Sequence, residues 1–393
     1  MNSRYRRQLS FYIDESYKRL DYLQYGKNLM LRIDNTEQTV RMQTDLRLGL
    51  PIVITKEEDN FLIFSTERIS KIHFSLLMNS KSQKPFLCVT SRRAQTLKAR
   101  VYDNSISRIQ IPEKSDINWI QATADPILDL DSPMKGPYIT MRGGDTKVAE
   151  LSLNWCKKAK LIPSTIIKKI SNLEIKAFQK NFQILTADFS DLINENPSIL
   201  IREERATAKI PIKGIEARLR IFRVNNDSFD HCAIEFGTPN REEPVLTRIH
   251  SACFTGDVLN SQKCDCGSQL ERAIEKFVSV GEGILLYLNQ EGRGIGLLNK
   301  VRAYKLQEQG YDTVDANHRL GFEDEERDFQ IGAEILHLLG FSKAKLMTNN
   351  PKKIKMLEDC EIKVVERVSL LTQPTKQNLH YLQTKAKKSG HLF

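Results

Sequence analysis

Cys253, Cys264 and Cys266 fall within fourteen residues of a 393-residue chain, in the order C-x10-C-x-C. Three thiolates this close can hold zinc tetrahedrally, and three protein ligands leave the fourth position to water, as in a catalytic rather than a structural site. The only carboxylates inside the span are Asp257 and Asp265, and His250 lies just before it. Spacing leaves three readings open: a catalytic zinc, a structural zinc closed by His250, or three reduced thiols that lie close together. The other cysteines, Cys88, Cys156, Cys232 and Cys360, are scattered, and an odd total of seven argues against a disulfide framework.

Three further segments could meet an anion. Glu291-Gly292-Arg293-Gly294-Ile295-Gly296 follows an apolar run and precedes a helical pattern, so its backbone could approach a ligand closely. Its glycine spacing is not that of a dinucleotide fingerprint, and no P-loop motif occurs anywhere. Thr348-Asn349-Asn350-Pro351-Lys352-Lys353 puts two lysines in a first helical turn, where they oppose the helix dipole unless an anion sits between them. Glu323–Asp328 sets five carboxylates around Arg327, a solvated helix start or a phosphate clamp beside a proton acceptor.

The elements that must position these groups are legible mainly in the second half. Leu270, Ala273, Ile274, Phe277 and Val278 recur at helical spacing, and Ser268 with Glu271 forms a capping box that starts a helix just beyond the last cysteine, its positive end favouring thiolates. Strands are expected at Ile284–Leu288, Ala344–Met347 and Ile362–Val368, and helices at Leu297–Gln309, Phe329–Leu339 and Lys352–Asp359. That alternation implies an α/β domain with a mostly parallel sheet. In the first half, Gly49–Ile54 and Phe61–Phe64 read as strands around a charged turn and Val148–Lys160 as a helix.

Length suggests two or three domains. The charged, Pro-containing segment Asn194–Ala208 places a boundary near residue 200, giving domains 1–200 and 201–393. The net charge of +10 is uneven: the first 200 residues hold 30 basic and 22 acidic side chains, the remainder 29 and 27. The charge raises nucleic acid as a partner, but the basic clusters lack interleaved aromatics and no nucleic-acid module is present. No apolar run can span a bilayer and the N-terminus has no signal-peptide core, so a soluble, cytoplasmic protein with no membrane partner is expected.

Taken together, RIHSACFTGDVLNSQKCDCGSQLE (Arg248–Glu271), NQEGRGIGLLNKVRAY (Asn289–Tyr304), GYDTVDANHRLGF (Gly310–Phe322) and TNNPKK (Thr348–Lys353) resemble GTP cyclohydrolase II, over about Ile201–Phe393 and including the tail HYLQTKAKKSGHLF. The resemblance implies conversion of GTP to formate, pyrophosphate and 2,5-diamino-6-(5-phosphoribosylamino)pyrimidin-4(3H)-one, the first step of riboflavin biosynthesis, by a homodimer with one Zn2+ per cyclohydrolase domain and Mg2+ accompanying GTP. It implies that Cys253, Cys264 and Cys266 hold the zinc, which activates the water that attacks the guanine ring. It places Arg248, Ile249, His250, Ser251, Ala252, Gln269, Glu291, Gly292, Arg293, Thr313, Thr348 and Lys353 against GTP. Tyr304, Glu325 and Arg327 take the catalytic positions: a tyrosine assisting the ring chemistry, a proton acceptor, and an arginine that the family is proposed to use as a nucleophile. A guanidinium stays protonated in proteins, so a charge clamp on the departing pyrophosphate is the physically simpler role.

Three positions depart from the family pattern: Glu325 stands where Asp is usual, Ala252 where Glu is usual, and Asn289 where Arg commonly precedes QEGR. An enzyme with impaired chemistry, or at the limit a GTP-binding regulatory protein, would fit them. The first half is similar, less closely, to 3,4-dihydroxy-2-butanone-4-phosphate synthase, in DLRLGLPIVITKEEDNFLIFSTE (Asp45–Glu67) and RGGDTKVAELSLNWCKKAKLIPSTIIKKI (Arg142–Ile170), an α+β domain. That family's acidic metal loop is missing between Asp59 and Phe61, and Asp145 replaces its metal-binding His, so an inactive domain is expected.

Overall fold

The computed structural model describes residues 35–79, 83–182, 184–193, 201, 203–224 and 229–370. The N-terminal segment Met1–Leu20, residues 194–200 and 202 of the boundary segment Asn194–Ala208, and the tail HYLQTKAKKSGHLF lie outside the described residues. Two mixed sheets share no strand.

The first sheet contains β1 (Ile52–Lys56), β2 (Asp59–Ser65), β3 (Phe86–Thr90), β4 (Ile106–Gln110), β5 (Ser164–Ile170) and β6 (Leu185–Asp188), in the order β4-β3-β5-β2-β1-β6. All its pairings are antiparallel except β1 with β6. The helices of this half are α1 (Asn35–Leu48), α2 (Lys71–Asn79), α3 (Ser91–Thr96), α4 (Ile117–Ala124), α5 (Lys147–Lys158), α6 (Asn172–Phe182) and α7 (Phe189–Ile193). Period-2 alternation splits the apolar strand residues between two cores, one closed by Met42, Leu153 and Trp155, the other by Phe74, Leu77 and Ile120. The structure thus bears out an α+β first half.

The second sheet runs β13-β12-β10-β11-β9-β8-β7. Its strands are β7 (Glu204–Ile212), β8 (Ile215–Arg223), β9 (Asp230–Phe236), β10 (Val245–Ser251), β11 (Gly283–Leu288), β12 (Lys343–Met347) and β13 (Lys363–Val368). Its helices are α8 (Cys266–Val280), α9 (Leu297–Glu308), α10 (Thr313–Arg319), α11 (Gln330–Leu338) and α12 (Pro351–Asp359). β10 pairs in parallel with both β11 and β12, and β12 with β13, whereas β7, β8 and β9 form an antiparallel meander that joins at β11. The expected α/β class holds, with half of the sheet parallel. The meander escapes sequence reading because the outermost strand, β7, is exposed along most of its length and lacks an apolar repeat.

Four of the six β11 residues, Ile284, Leu285, Leu286 and Leu288, are fully buried, because helices cover both faces of a central parallel strand. α8 packs Ala273 and Phe277 on one face and α11 packs Ile331, Ile335 and Leu336 on the other. The capping box expected at Ser268 and Glu271 is not used. α8 begins two residues earlier, on Cys266 itself, where the Asp265 carbonyl accepts the first helical bond from the Gln269 N–H at 3.0 Å; the Asp265 carboxylate takes the Gln269 side-chain amide at 2.5 Å and caps no backbone N–H. α12 starts as read, with Pro351 in the first turn and Asn350 accepting from the Lys352 amide.

Candidate active site

From β10 the chain crosses to β11 on one side and later to β12 on the other, so the carboxyl ends of three adjacent parallel strands open a crevice at the point where the strand order reverses. The segments after these ends supply the site: Ala252–Cys266 after β10, Asn289–Gly296 after β11, and Thr348–Lys353 after β12.

The three thiols come together. All three Sγ atoms lie within 4.8 Å of one another, and Cys253 and Cys264 are 3.6 Å apart. Zinc–sulfur bonds of about 2.3 Å in a tetrahedron set sulfurs about 3.8 Å apart, so the trio fits such an ion. Gly256 makes the cradle possible, since a Cβ there would sit 3.0 Å from the sulfurs of both Cys253 and Cys264. The Cys264 and Cys266 thiols, with the Lys300 ammonium 3.0 Å from the Cys253 sulfur, hold Cys253 well below the usual thiol range.

His250 does not close this cluster. Its Nε2 donates to Asp257 at 3.1 Å, and the same carboxylate accepts from the Cys253 amide and the Tyr287 hydroxyl, each at 2.9 Å. Burial lowers the His250 pKa, which favours the neutral ring. Glu291 ties two segments together, accepting from Lys300 at 2.7 Å and from the Phe254 amide at 2.6 Å. Burial works against the charge on Lys300, but Glu291 and Cys253 outweigh it and raise its pKa. Tyr304 sits one helical turn beyond Lys300, its hydroxyl 3.1 Å from that of Thr255, and burial raises its pKa, keeping the proton on.

Around the thiols stand cations. Arg248 bridges the Gln269 amide oxygen at 2.5 Å and the Met347 carbonyl at 3.0 Å, and burial pushes its pKa down to about 10. Lys353 donates to the Ile249 carbonyl at 2.9 Å, and both Lys353 and Arg327 lie 4.8 Å from the Phe329 ring centroid. Glu325 grips Arg327 through both carboxylate oxygens while Arg327 reaches Ser251 Oγ at 3.3 Å. Burial pushes the Glu325 carboxyl up, but Arg327 and Arg293 prevail and its pKa is lowered.

Every expected site residue except Ile249 lines this one pocket, Gly292, Ala252, Thr313 and Thr348 included. β10 alternation turns Ile249 into the core, leaving only its carbonyl toward Lys353. Four buried polar atoms of the pocket, Arg248 Nε, His250 Nδ1, Gln290 Oε1 and Asn317 Nδ2, have no hydrogen-bond partner among the described residues. Buried polar groups are nearly always satisfied, so a cluster of unsatisfied ones marks the seat of a polar ligand.

The sequence pattern described as GTP cyclohydrolase II matches residues 203–369, the stretch that holds the whole pocket. A GTP cyclohydrolase-2 of Azospirillum brasilense is 38% identical over 360 residues, covering 90% of this chain and 93% of that protein. The chain belongs to the GTP cyclohydrolase II family. The GTP cyclohydrolase-2 of Shigella boydii is 51% identical over 188 residues, 48% of this chain and 96% of its own length. A solved two-domain 3,4-dihydroxy-2-butanone 4-phosphate synthase from A. baumannii aligns with 84% of this chain and 99% of its own, at 14% identity and a TM-score of 0.30.

As a GTP cyclohydrolase II the chain is a hydrolase; its pocket is also lined by Gln290, Lys300 and Asn317, which no motif singles out, and Tyr287 supports it from behind through Asp257. Lys300 was the most accessible of these, since its spacing of four from Tyr304 puts both on one helix face. Of the three departures, Glu325 keeps its carboxylate on Arg327, Ala252 lines the pocket, and Asn289 donates its backbone N–H to His231 Nδ1 at 3.1 Å.

Proposed function

We propose that the cyclohydrolase II chemistry runs at the Cys253–Cys264–Cys266 pocket, with residues 201–393 as the catalytic domain. The observation that carries this reading is the convergence of three thiols and three buried or half-buried cations, Arg248, Arg327 and Lys353, on a single crevice. Zinc, when bound by the three thiolates, would supply the Lewis acid that activates water toward the guanine ring.

The chain's own residues do the rest. Arg248, fixed by Gln269, and Lys353, fixed by the Ile249 carbonyl, hold the triphosphate, accompanied by Mg2+. His250, Ser251, Ala252, Gly292, Thr313 and Thr348 shape the pocket around the nucleotide. Glu291 orients Lys300 against the Cys253 sulfur. Tyr304 holds a proton at its hydroxyl beside Thr255, ready for the ring-opening step. Glu325 is the proton acceptor, and Arg327, held by Glu325 and Ser251, clamps the charge that builds on the departing pyrophosphate.

A cytoplasmic homodimer fits the remaining features. No helix among the described residues is long and apolar enough to cross a membrane. Phe254, Val258 and Leu259 beside the thiols, with Leu297, Leu298 and Val301 on α9, are exposed apolar side chains of the kind a second copy would cover. Residues 1–200 form a degenerate butanone-phosphate-synthase-like domain without that activity. β2 runs without a break through Asp59, Asn60 and Phe61, paired with Lys56, Thr55 and Ile54 of β1, so no acidic metal loop intervenes there, and Asp145 is an ion-pair partner of Lys56.

Incubating the protein with GTP, Mg2+ and Zn2+ tests the reading. Formate and pyrophosphate are released together; absence of both would refute it.

A further inference from the structure

Two loops of the pocket are held from outside the cyclohydrolase half. Lys157, at the end of α5, reaches Glu326 at 2.6 Å, with both side chains 19% exposed. Glu326 stands between Glu325 and Arg327, and its backbone amide donates to the Arg293 carbonyl at 3.1 Å. Lys160, two residues beyond α5, donates its ammonium to the Gly294 carbonyl at 2.8 Å, and its own carbonyl accepts from the Asn299 amide at 2.9 Å. The turn so gripped is not one a chain adopts freely. Gly292, Arg293 and Gly294 all have positive φ, and a Cβ at Gly294 would fall 2.4 Å from the Glu326 carbonyl oxygen. A left-handed non-glycine residue such as Arg293 costs of order 1–3 kcal/mol and persists where its surroundings over-determine it.

We propose that Lys157 and Lys160 of the first half are positioning residues of the cyclohydrolase, which set the loops carrying Arg293, Glu325 and Arg327. This rests on the functional reading above. Glu325 and Glu326 both precede Arg327 in sequence, and a guanidinium in a poorly hydrated crevice pairs with whichever is free. Lys157 occupies Glu326, whose oxygen also accepts from the Glu323 amide at 2.8 Å, and so leaves Arg327 to Glu325 and the substrate. Lys160 closes the Gly292–Gly294 turn, so that Arg293 faces the pocket. The first half thus has a definite use with no chemistry of its own: it decides the partner of the clamp.

The full-length chain tests this with four variants assayed for formate release, zinc content and melting temperature. Lys157→Met is expected to lower kcat about tenfold with zinc content unchanged, short of the roughly 100-fold that a 1 Å misplacement can cost. Adding Glu326→Gln to that variant removes the competing charge and restores most of the rate, and Lys157→Arg retains it. Lys209→Met, which breaks an exposed pair with Glu216, is the control and leaves the rate unchanged. A merely structural role predicts instead that Lys157→Met melts lower, and that Glu326→Gln, which cannot re-form the ion pair, gives no recovery. An unaltered rate in Lys157→Met, or a double variant no faster than the single, overturns the proposal while leaving the functional reading intact; an inactive wild-type chain would sink that reading instead.

Discussion

The two halves use the same materials to opposite ends. In the first, cations are matched to carboxylates within the half: Arg93 and Lys135 share Asp129 at 2.7 and 2.6 Å, Arg108 meets Asp103 at 2.8 Å, and Lys56 meets Asp145 at the surface. In the second, Arg248, Arg293, Lys300, Arg327 and Lys353 converge on one crevice that also receives three thiols. The half with the larger basic excess, 30 basic to 22 acidic, pairs its buried arginines with carboxylates, while the nearly balanced half gathers its cations at the proposed anion site. Net charge sets long-range attraction and says little about where an anion docks. Placement at the carboxyl ends of parallel strands does.

The largest effect should come from the thiols. Cys264→Ser is expected to lose zinc and formate release together, measured by metal analysis and formate assay on the same sample. Ring opening that survives without zinc would show that the second half does not work through its cysteines. Next is the clamp. Arg327→Gln keeps a polar side chain but removes the charge and the second prong of the grip on Glu325, and formate release should fall about 10²- to 10³-fold, the range seen when one preorganised electrostatic donor is lost. A fall of less than about threefold would remove Arg327 from the chemistry.

Much of this contrast is legible in the sequence, and the failures have physical causes. The thiol cluster, the two strand-to-helix junctions and the strands β11, β12 and β13 show because each is local: a spacing, a turn signal or an apolar run. The antiparallel meander does not show, because β7 is an exposed edge strand whose identity comes from its partner β8. The start of α8 lies ahead of the Ser268 capping signal because the Asp265 carbonyl already accepts the Gln269 N–H. Asp257 and Tyr287 meet only when β10 and β11 lie side by side, so no spacing could pair them. Contacts between halves, such as Lys157 with Glu326, are 169 residues apart and invisible to any local pattern.

Glu325 sharpens the comparison through pH. Its pKa is lowered in the folded chain, with Arg327 overcoming the penalty of burial. A carboxyl whose folded pKa lies below its unfolded value, about 4.3 for Glu, contributes stability above that value and loses it as the pH falls through the folded one. The melting-temperature gap between wild type and Glu325→Gln should therefore be constant from neutral pH to about 5 and shrink on further acidification. A gap that widens toward pH 3 would mean that Glu325 is destabilised by its burial and is not held by the clamp.

The smallest effect is expected from the first half's own charged groups, and its smallness is the point. Asp145 stands where the resembling synthase has a metal-binding histidine, and here it accepts from Lys56 and from the Lys147 amide, the latter at 3.1 Å. It is part of an ion pair at the surface, 42% exposed, and exposed pairs of this kind contribute little. Asp145→His should therefore leave formate release within about twofold of wild type and produce no butanone phosphate from ribulose 5-phosphate, since one ligand does not rebuild a metal site whose acidic loop is missing. Product from ribulose 5-phosphate in wild type or variant would show that the first half retains a site that its paired charges conceal. A large loss of formate release would show instead that its influence on the cyclohydrolase extends beyond α5, through β1 and the segment before α5 where Lys56 and Asp145 meet.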